Sequence, residues 1–360
     1  MKVLQFEGIR GFVAVYVVIQ HYVFFTPLAK ELPLFVSSFF KFGQEAVIIF
    51  FLLSGFVIYL SSSQKNNLTF KKYFLKRFIR IYPIAIVSYI LSAIIFYLNN
   101  YLYSLKDIFR LLGNLFMLQD LSNQPGIIVV PFMYNFPLWS LSYEWWFYML
   151  YFPLIIIVSR FNSRKNIHDI YYILAVSVIS WLFFLQWPNH IFMILTYLLL
   201  WWTGVESAKV YLKYKSFTFT NMFPIYGSIV MMLFVLSISG FKIYMKGINS
   251  FNDLNKDYPL TTYLHHYVDA FIFIIIGILV WKFKIYKFKI LFNVFSIISP
   301  ISYALYIIHF PFIFLKIPYI SNIYILILVK LTATFLLAYI LEMILQPRLN
   351  RLVNFSKSKK

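Results

Sequence analysis

Runs of about twenty consecutive apolar residues recur along this 360-residue chain, and they restrict its fold more than any other feature. A soluble domain of this length has too little interior to hide them. Charged residues make up 12% of the chain and hydrophobic residues 61%, where a soluble domain carries roughly 25% charge. The chain reads as an all-α, polytopic protein whose solvent is the lipid bilayer. About ten transmembrane helices are expected, near 9–26, 42–61, 81–98, 139–158, 170–187, 190–208, 222–239, 264–281, 299–317 and 322–345. Stretches near 101–118 and 240–262 read as interfacial or looped. No internal repeat or flexible linker interrupts the pattern. Residues 1–346 read as one membrane domain and 347–360 as a basic cytoplasmic tail. No short apolar segment ends in a small-residue cleavage site, so the first span is expected to be retained.

The net charge of +20 first suggests nucleic acid. Most of the 32 Lys and Arg, however, fall at the N-terminus, in the even-numbered loops and in the tail. That asymmetry is the positive-inside pattern, so no nucleic acid is needed to explain it, and both termini are expected in the cytoplasm. The absence of cysteine excludes disulfides, thiolate zinc sites, iron–sulfur clusters and thiol nucleophiles.

Ionisable groups at membrane depth are costly unless they face a cavity or a partner, so each marks a candidate site. His21, Glu45, Glu144, Glu206, Asp269, His309 and Glu342 qualify. Arg10 and His21 are eleven residues apart, about 16.5 Å along a helix and only about 20° around it. They therefore share a face, and His21, Glu144 and His309 can meet at one level. Each has a plainer reading as a buried polar group bonded to a neighbouring helix. Glu206 and Glu342 are expected to pair with basic loops instead. Arg77 and Arg80 share a helix face ahead of Pro83 at the expected start of the third span, a geometry suited to phosphates. Lys71 and Lys72 are topological anchors. Ser54-Gly55 reads as a close helix crossing rather than a nucleophile. His265, His266 and Asp269 lack a further ligand at suitable spacing, so they are read as an exposed loop and no metal is expected.

Five segments together resemble the integral-membrane acyltransferase family 3, whose members O-acetylate bacterial surface glycans. They are Glu7-Gly8-Ile9-Arg10-Gly11-Phe12 continuing to His21, Phe50-Phe51-Leu52-Leu53-Ser54-Gly55-Phe56, Arg77-Phe78-Ile79-Arg80-Ile81-Tyr82-Pro83, Trp139-Ser140-Leu141-Ser142-Tyr143-Glu144, and Ile301-Ser302-Tyr303-Ala304-Leu305-Tyr306 with His309 and Pro311. Their order matches the family's from the first span to the ninth. Glu7 stands where the family usually has Asp, and Leu345-Gln346-Pro347 where Glu-x-Pro is common, so Glu342 receives no role by analogy.

The resemblance implies a multi-pass protein of the bacterial cytoplasmic membrane with no permanently bound cofactor. Acetyl-CoA or a related acyl-CoA is the implied donor, and a glycan or lipid-linked saccharide the acceptor. Arg10, Arg77 and Arg80 are expected at the donor's phosphates, and His21 as the base that takes the acceptor hydroxyl's proton. Glu144 is expected to orient His21 or stabilise its charged form. Trp139, Ser142, Tyr303 and His309 are expected against the substrates. Direct attack on the thioester is preferred slightly to an acyl-histidine intermediate, because it asks less of the site. A transporter or flippase of lipid-linked saccharide is the rival reading, although no paired repeat is visible. A glycan polymerase would draw on loop acids, for which Asp253 and Asp257 are poor evidence. Asp253→Ala is expected to be nearly silent.

Overall fold

The computed structural model describes residues 4–63, 69–121, 125–165, 168–245, 259–287 and 289–351. Asp253, Asp257 and tail residues 352–360 lie outside the described residues. The helices are α1 (Leu4–Phe25), α2 (Leu28–Glu31), α3 (Leu34–Phe39), α4 (Gly43–Ser63), α5 (Phe70–Leu98), α6 (Leu105–Leu115), α7 (Leu138–Lys165), α8 (Asp169–Phe184), α9 (His190–Tyr214), α10 (Phe219–Met245), α11 (Leu260–Lys282), α12 (Lys289–Ser296), α13 (Ser302–Phe314) and α14 (Ile323–Tyr339). A π-helical turn, Ile340–Leu345, continues α14. The described residues contain no strand beyond an isolated bridge between Gln119 and Val129.

Among the described residues nine helices are long and apolar enough to cross a bilayer. The fifth expected span, α8, is the exception and has 16 residues. At about 1.5 Å per residue it falls short of a hydrocarbon core of about 30 Å. The third span differs from expectation. α5 starts at Phe70, where Thr69 caps the Lys72 N–H, and runs 29 residues. Arg77 and Arg80 therefore lie about two turns inside a helix rather than at its start. His265, His266 and Asp269 also sit within a helix, α11, and not in a loop.

Glycines set the closest helix contacts. A Cβ at Gly55 would lie 2.2 Å from the Trp201 carbonyl oxygen, and one at Gly204 would lie 2.0 Å from that of Leu52. α4 and α9 can cross at this distance only because both positions lack a side chain. In the same way Gly11 of α1 would place a Cβ 1.9 Å from the Phe295 carbonyl, which lets the α12 segment rest on α1.

Proline then dictates which side chains must bridge helices. It removes the N–H that would bond the carbonyl four residues earlier, and in lipid that carbonyl needs another donor. Pro83 frees the Ile79 carbonyl, which accepts from Gln346 Nε2 at 2.8 Å. Pro311 frees the Ile307 carbonyl, which accepts from Ser88 Oγ at 3.0 Å and Asn135 Nδ2 at 3.1 Å. Lys330, buried in α14, donates to the Ile313 carbonyl at 2.8 Å near the end of α13. These bonds pin α13, and His309 with it, against α5 and α14.

α6 has the opposite pattern to a soluble surface helix. Leu105, Ile108, Phe109 and Leu112 are exposed while Asp107 and Asn114 are buried. Its apolar face meets lipid, as an interfacial helix requires. Asn114 fixes it to the following loop through Val130 O and the Phe132 N–H.

Removing both donors to Ile307 should destabilise the bundle. For the double variant Ser88→Ala, Asn135→Ala, thermal unfolding in detergent should show a loss of about 1–3 kcal/mol, the cost of an unpaired buried carbonyl. An unchanged unfolding temperature would remove this pair from the packing argument.

Candidate active site

His21 and His309 come from opposite ends of the chain and meet because α1 packs directly against α13. His21 Nδ1 lies 2.9 Å from His309 Nε2, and His309 Nδ1 lies 3.1 Å from the Leu305 carbonyl oxygen. A carbonyl can only accept, so in the neutral pair His309 carries its proton on Nδ1 and offers the Nε2 lone pair. His21 then donates from Nδ1, and its own Nε2 is left as a free base. The tautomer of one imidazole is thus set by the other. Phe25 and Phe310 wall the His21 ring, with centroids 5.7 and 5.2 Å away. His309 is fully buried, whereas His21 remains partly exposed.

A cleft of about 140 Å³ lies along the neighbouring helices. Arg10, Arg77 and Arg80 line one part of it, and Ser54, Ser140, Glu144, Tyr303 and Tyr306 other parts. The three arginines differ in what already holds them. Arg10 pairs with Glu7 at 3.0 Å and donates to Ser299 Oγ at 3.1 Å. Arg80 pairs with Glu342 and lies over the Tyr303 ring, 5.1 Å from its centroid. Arg77 has no carboxylate partner among the described residues. It lies over the rings of Tyr73 and Tyr148, and its Nε is buried without a hydrogen bond. Arg77 is therefore the guanidinium with the most charge left to offer an anion.

Glu144 lies in this cleft, and its partners are not the one expected. Its Oε1 accepts from Ser54 Oγ at 3.0 Å and from the Tyr148 hydroxyl. The expected Glu144–His21 pair is replaced by His309–His21, because α13 and not α7 packs beside His21 on α1. Tyr306 connects the two groups. It lines the cleft, bonds Ser140 Oγ at 2.8 Å, and its ring centroid lies 6.2 Å from that of His309. The cleft lining includes neither histidine.

Ser142 departs from the expected substrate contact. It is fully buried, donates to the Met117 carbonyl at 2.7 Å, and lies 3.0 Å from His190 Nε2. His190 in turn faces Asp120 at 3.5 Å. This Ser–His–Asp order resembles a hydrolytic triad, but all three are at most 1% exposed and the hydroxyl proton is committed to a carbonyl. It works as a polar lock between helices. Trp139 is half-buried against Tyr143 and His266, away from the cleft. Tyr303 lines the cleft and donates to the Ile81 carbonyl at 3.0 Å.

Glu342, expected to pair with a basic loop and given no role by the family resemblance, is directed by the π turn to Arg80 and to the Ala304 N–H. Two further neighbours of the cleft escaped the sequence reading. Tyr148 lies one turn after Glu144, a spacing that could have revealed it. Ser54, read as packing, also bonds Glu144. Glu206, like Glu342, pairs with a basic residue: Lys209 bridges it to Asp169. A larger crevice of about 330 Å³ lies beside these three, and both of its carboxylates are bound by Lys209.

The motifs thus converge on one side of the bundle, and comparison with known proteins agrees with them. The family described as the acyltransferase domain, type 3, matches residues 3–345. The chain belongs to this acyltransferase family. The chain is 37% identical over 114 residues to acyltransferase MdmB of Streptomyces mycarofaciens, covering 31% of this chain and 28% of that protein. It is 30% identical over 166 residues to an uncharacterized protein of Haemophilus influenzae, covering 39% of this chain and 64% of the relative. The chain therefore aligns with less than two thirds of either. No solved structure matches it significantly.

In this family member the Arg80–Glu342 pair should couple in a double-mutant cycle. Glu342→Ala alone should destabilise it by about 2 kcal/mol or more, because Arg80 keeps an unmatched charge in a largely apolar setting. Adding Arg80→Ala should recover part of that loss, as measured by unfolding in detergent; strict additivity would show that the two do not interact.

Proposed function

We propose that this protein is a membrane O-acyltransferase of the bacterial cytoplasmic membrane. It moves an acetyl or similar short acyl group from acyl-CoA to a hydroxyl of a surface polysaccharide or lipid-linked saccharide. The single observation carrying this reading is the His21–His309 pair, which leaves one His21 imidazole nitrogen free, while the Tyr306 ring that lines the arginine cleft lies 6.2 Å from the His309 ring. Family membership supports acyl transfer, and the distribution of basic residues supports cytoplasmic termini and a donor arriving from the arginine side.

The donor's phosphates bind at Arg77, with Arg10 and Arg80 adding field from their paired positions. Its amide-bearing arm lies along the cleft, where the Glu144 oxygen not used by Ser54 and Tyr148 accepts an amide N–H. Glu144 is thereby a donor-positioning group rather than the partner of His21. The thioester passes Tyr306 to reach His21. The acceptor approaches from the opposite side, where the Trp139 ring offers a flat apolar face for a sugar.

In the transfer step His21 Nε2 takes the proton of the acceptor hydroxyl as its oxygen bonds the thioester carbonyl carbon. The tetrahedral adduct then collapses, the carbon–sulfur bond breaks, and the thiolate recovers the proton from His21. Through both stages His309 accepts the His21 Nδ1–H and keeps the basic nitrogen on the reacting side, the task a buried carboxylate performs in other acyl-transfer sites. This arrangement suits direct transfer and needs no acyl-enzyme.

Transfer of radiolabel from acetyl-CoA into glycan by membranes tests the reading. His21→Ala should abolish labelling while the protein still inserts, and His309→Ala should lower turnover by about 10²–10⁴-fold. Arg77→Ala and Glu144→Gln should raise the KM for acyl-CoA more than they lower kcat. Undiminished labelling by His21→Ala would overturn the mechanism. Glycan translocation without labelling would favour the transporter instead.

A further inference from the structure

At the end of the bundle remote from the arginines, α4 and α11 bring three ligand-type side chains together. Glu45 lies in the first turn of α4, nine residues and about 13.5 Å before Ser54. His265 and Asp269 lie four residues apart on α11, so they share its face. Glu45 Oε1 is 3.1 Å from His265 Nε2, and Asp269 Oδ2 is 3.5 Å from the same nitrogen. One ligand atom from each residue falls within 4.8 Å of the others.

Protein groups alone satisfy this cluster poorly. One imidazole nitrogen carries at most one proton, yet it faces two carboxylates. Asp269 is nine-tenths buried, with 9% of its side chain exposed, and its Oδ2 is aimed at His265 without a hydrogen bond. Glu45 Oε2 is also buried and unpartnered. With His265 protonated and both carboxylates ionised, one negative charge between two helices stays uncompensated, which is costly at such depth. The adjacent His266 is already used: its Nδ1 bonds the Tyr197 hydroxyl at 2.6 Å and its Nε2 faces Gln44 Oε1 at 3.2 Å.

The geometry points to a divalent transition-metal site formed by Glu45, His265 and Asp269, with zinc as the cation. Zinc bonds of about 2.0–2.2 Å in a tetrahedron place ligand atoms about 3.3 Å apart, close to the two spacings found. One imidazole with two carboxylates suits zinc, whereas calcium and magnesium prefer oxygen alone. His265 remains half-exposed, which leaves a fourth position open to water or to a substrate hydroxyl. The cation replaces the missing positive charge and ties the start of α4 to the start of α11. This inference stands independently of the acyl-transfer reading, since its test reads metal and not turnover.

The untagged full chain, purified in detergent and stripped with EDTA, is reloaded with zinc and then desalted. Elemental analysis should find about one zinc per chain, and cobalt in its place should give the visible bands of a tetrahedral site. Glu45→Gln and Asp269→Asn should each weaken zinc binding by about 100-fold or more. Zinc should raise the unfolding temperature of the parent and not of these variants. The cobalt spectrum of the parent protein decides the matter even if a variant fails to fold. A parent chain that stays metal-free after loading, or variants that hold as much zinc as the parent, would reduce the cluster to an ion pair and overturn the site. Preferential retention of calcium or magnesium would overturn the assignment to a transition metal.

Discussion

Lipid offers no hydrogen bonds, and this deprivation organises the interior of the protein. Two prolines inside helices leave carbonyls that side chains from other segments reach. Gln346 answers Pro83 at Ile79, and Ser88 with Asn135 answers Pro311 at Ile307. Because those donors sit on different helices, satisfying the backbone also fixes how α5, α13 and the segment before α7 lie together. His309 inherits its position from that arrangement, lying two residues from the proline and bonded to its own helix at Leu305.

Charge follows the same logic at the arginine side. A guanidinium within a helix bundle needs either a carboxylate or a ligand. Glu7 and Glu342 supply the first for Arg10 and Arg80, so those residues hold helices together while still lining the cleft. Among the described residues Arg77 is held by aromatic faces, which steady the cation without neutralising it. One structural device therefore distinguishes three arginines that look equivalent in the sequence. At the other side of the bundle the imbalance is reversed: Glu45 and Asp269 exceed what His265 can match.

The spans were legible because hydropathy over twenty residues is a local property, and among the described residues nine of the expected ten are present at full length. The shared face of Arg10 and His21 followed from helical periodicity, and the Ser54-Gly55 crossing from residue size. Partners were harder to read. Glu144 was matched to His21 by depth alone, but depth does not say which face of α7 turns toward which helix. Ser142 lay in a motif, yet it is consumed by a buried lock with His190.

The sequence by itself determined the solvent, the approximate position of most of the membrane spans, and the set of polar residues obliged to find partners. These follow from composition and from the fixed pitch of the α-helix. Only the tertiary structure decided the pairings: His21 with His309, Glu144 with Ser54 and Tyr148, Glu342 with Arg80, and Glu45 with His265 and Asp269. Each joins residues separated by long stretches of chain or depends on such a join. The rotation of one helix against another is set by glycine contacts and proline-opened carbonyls acting together, and no local pattern encodes that sum.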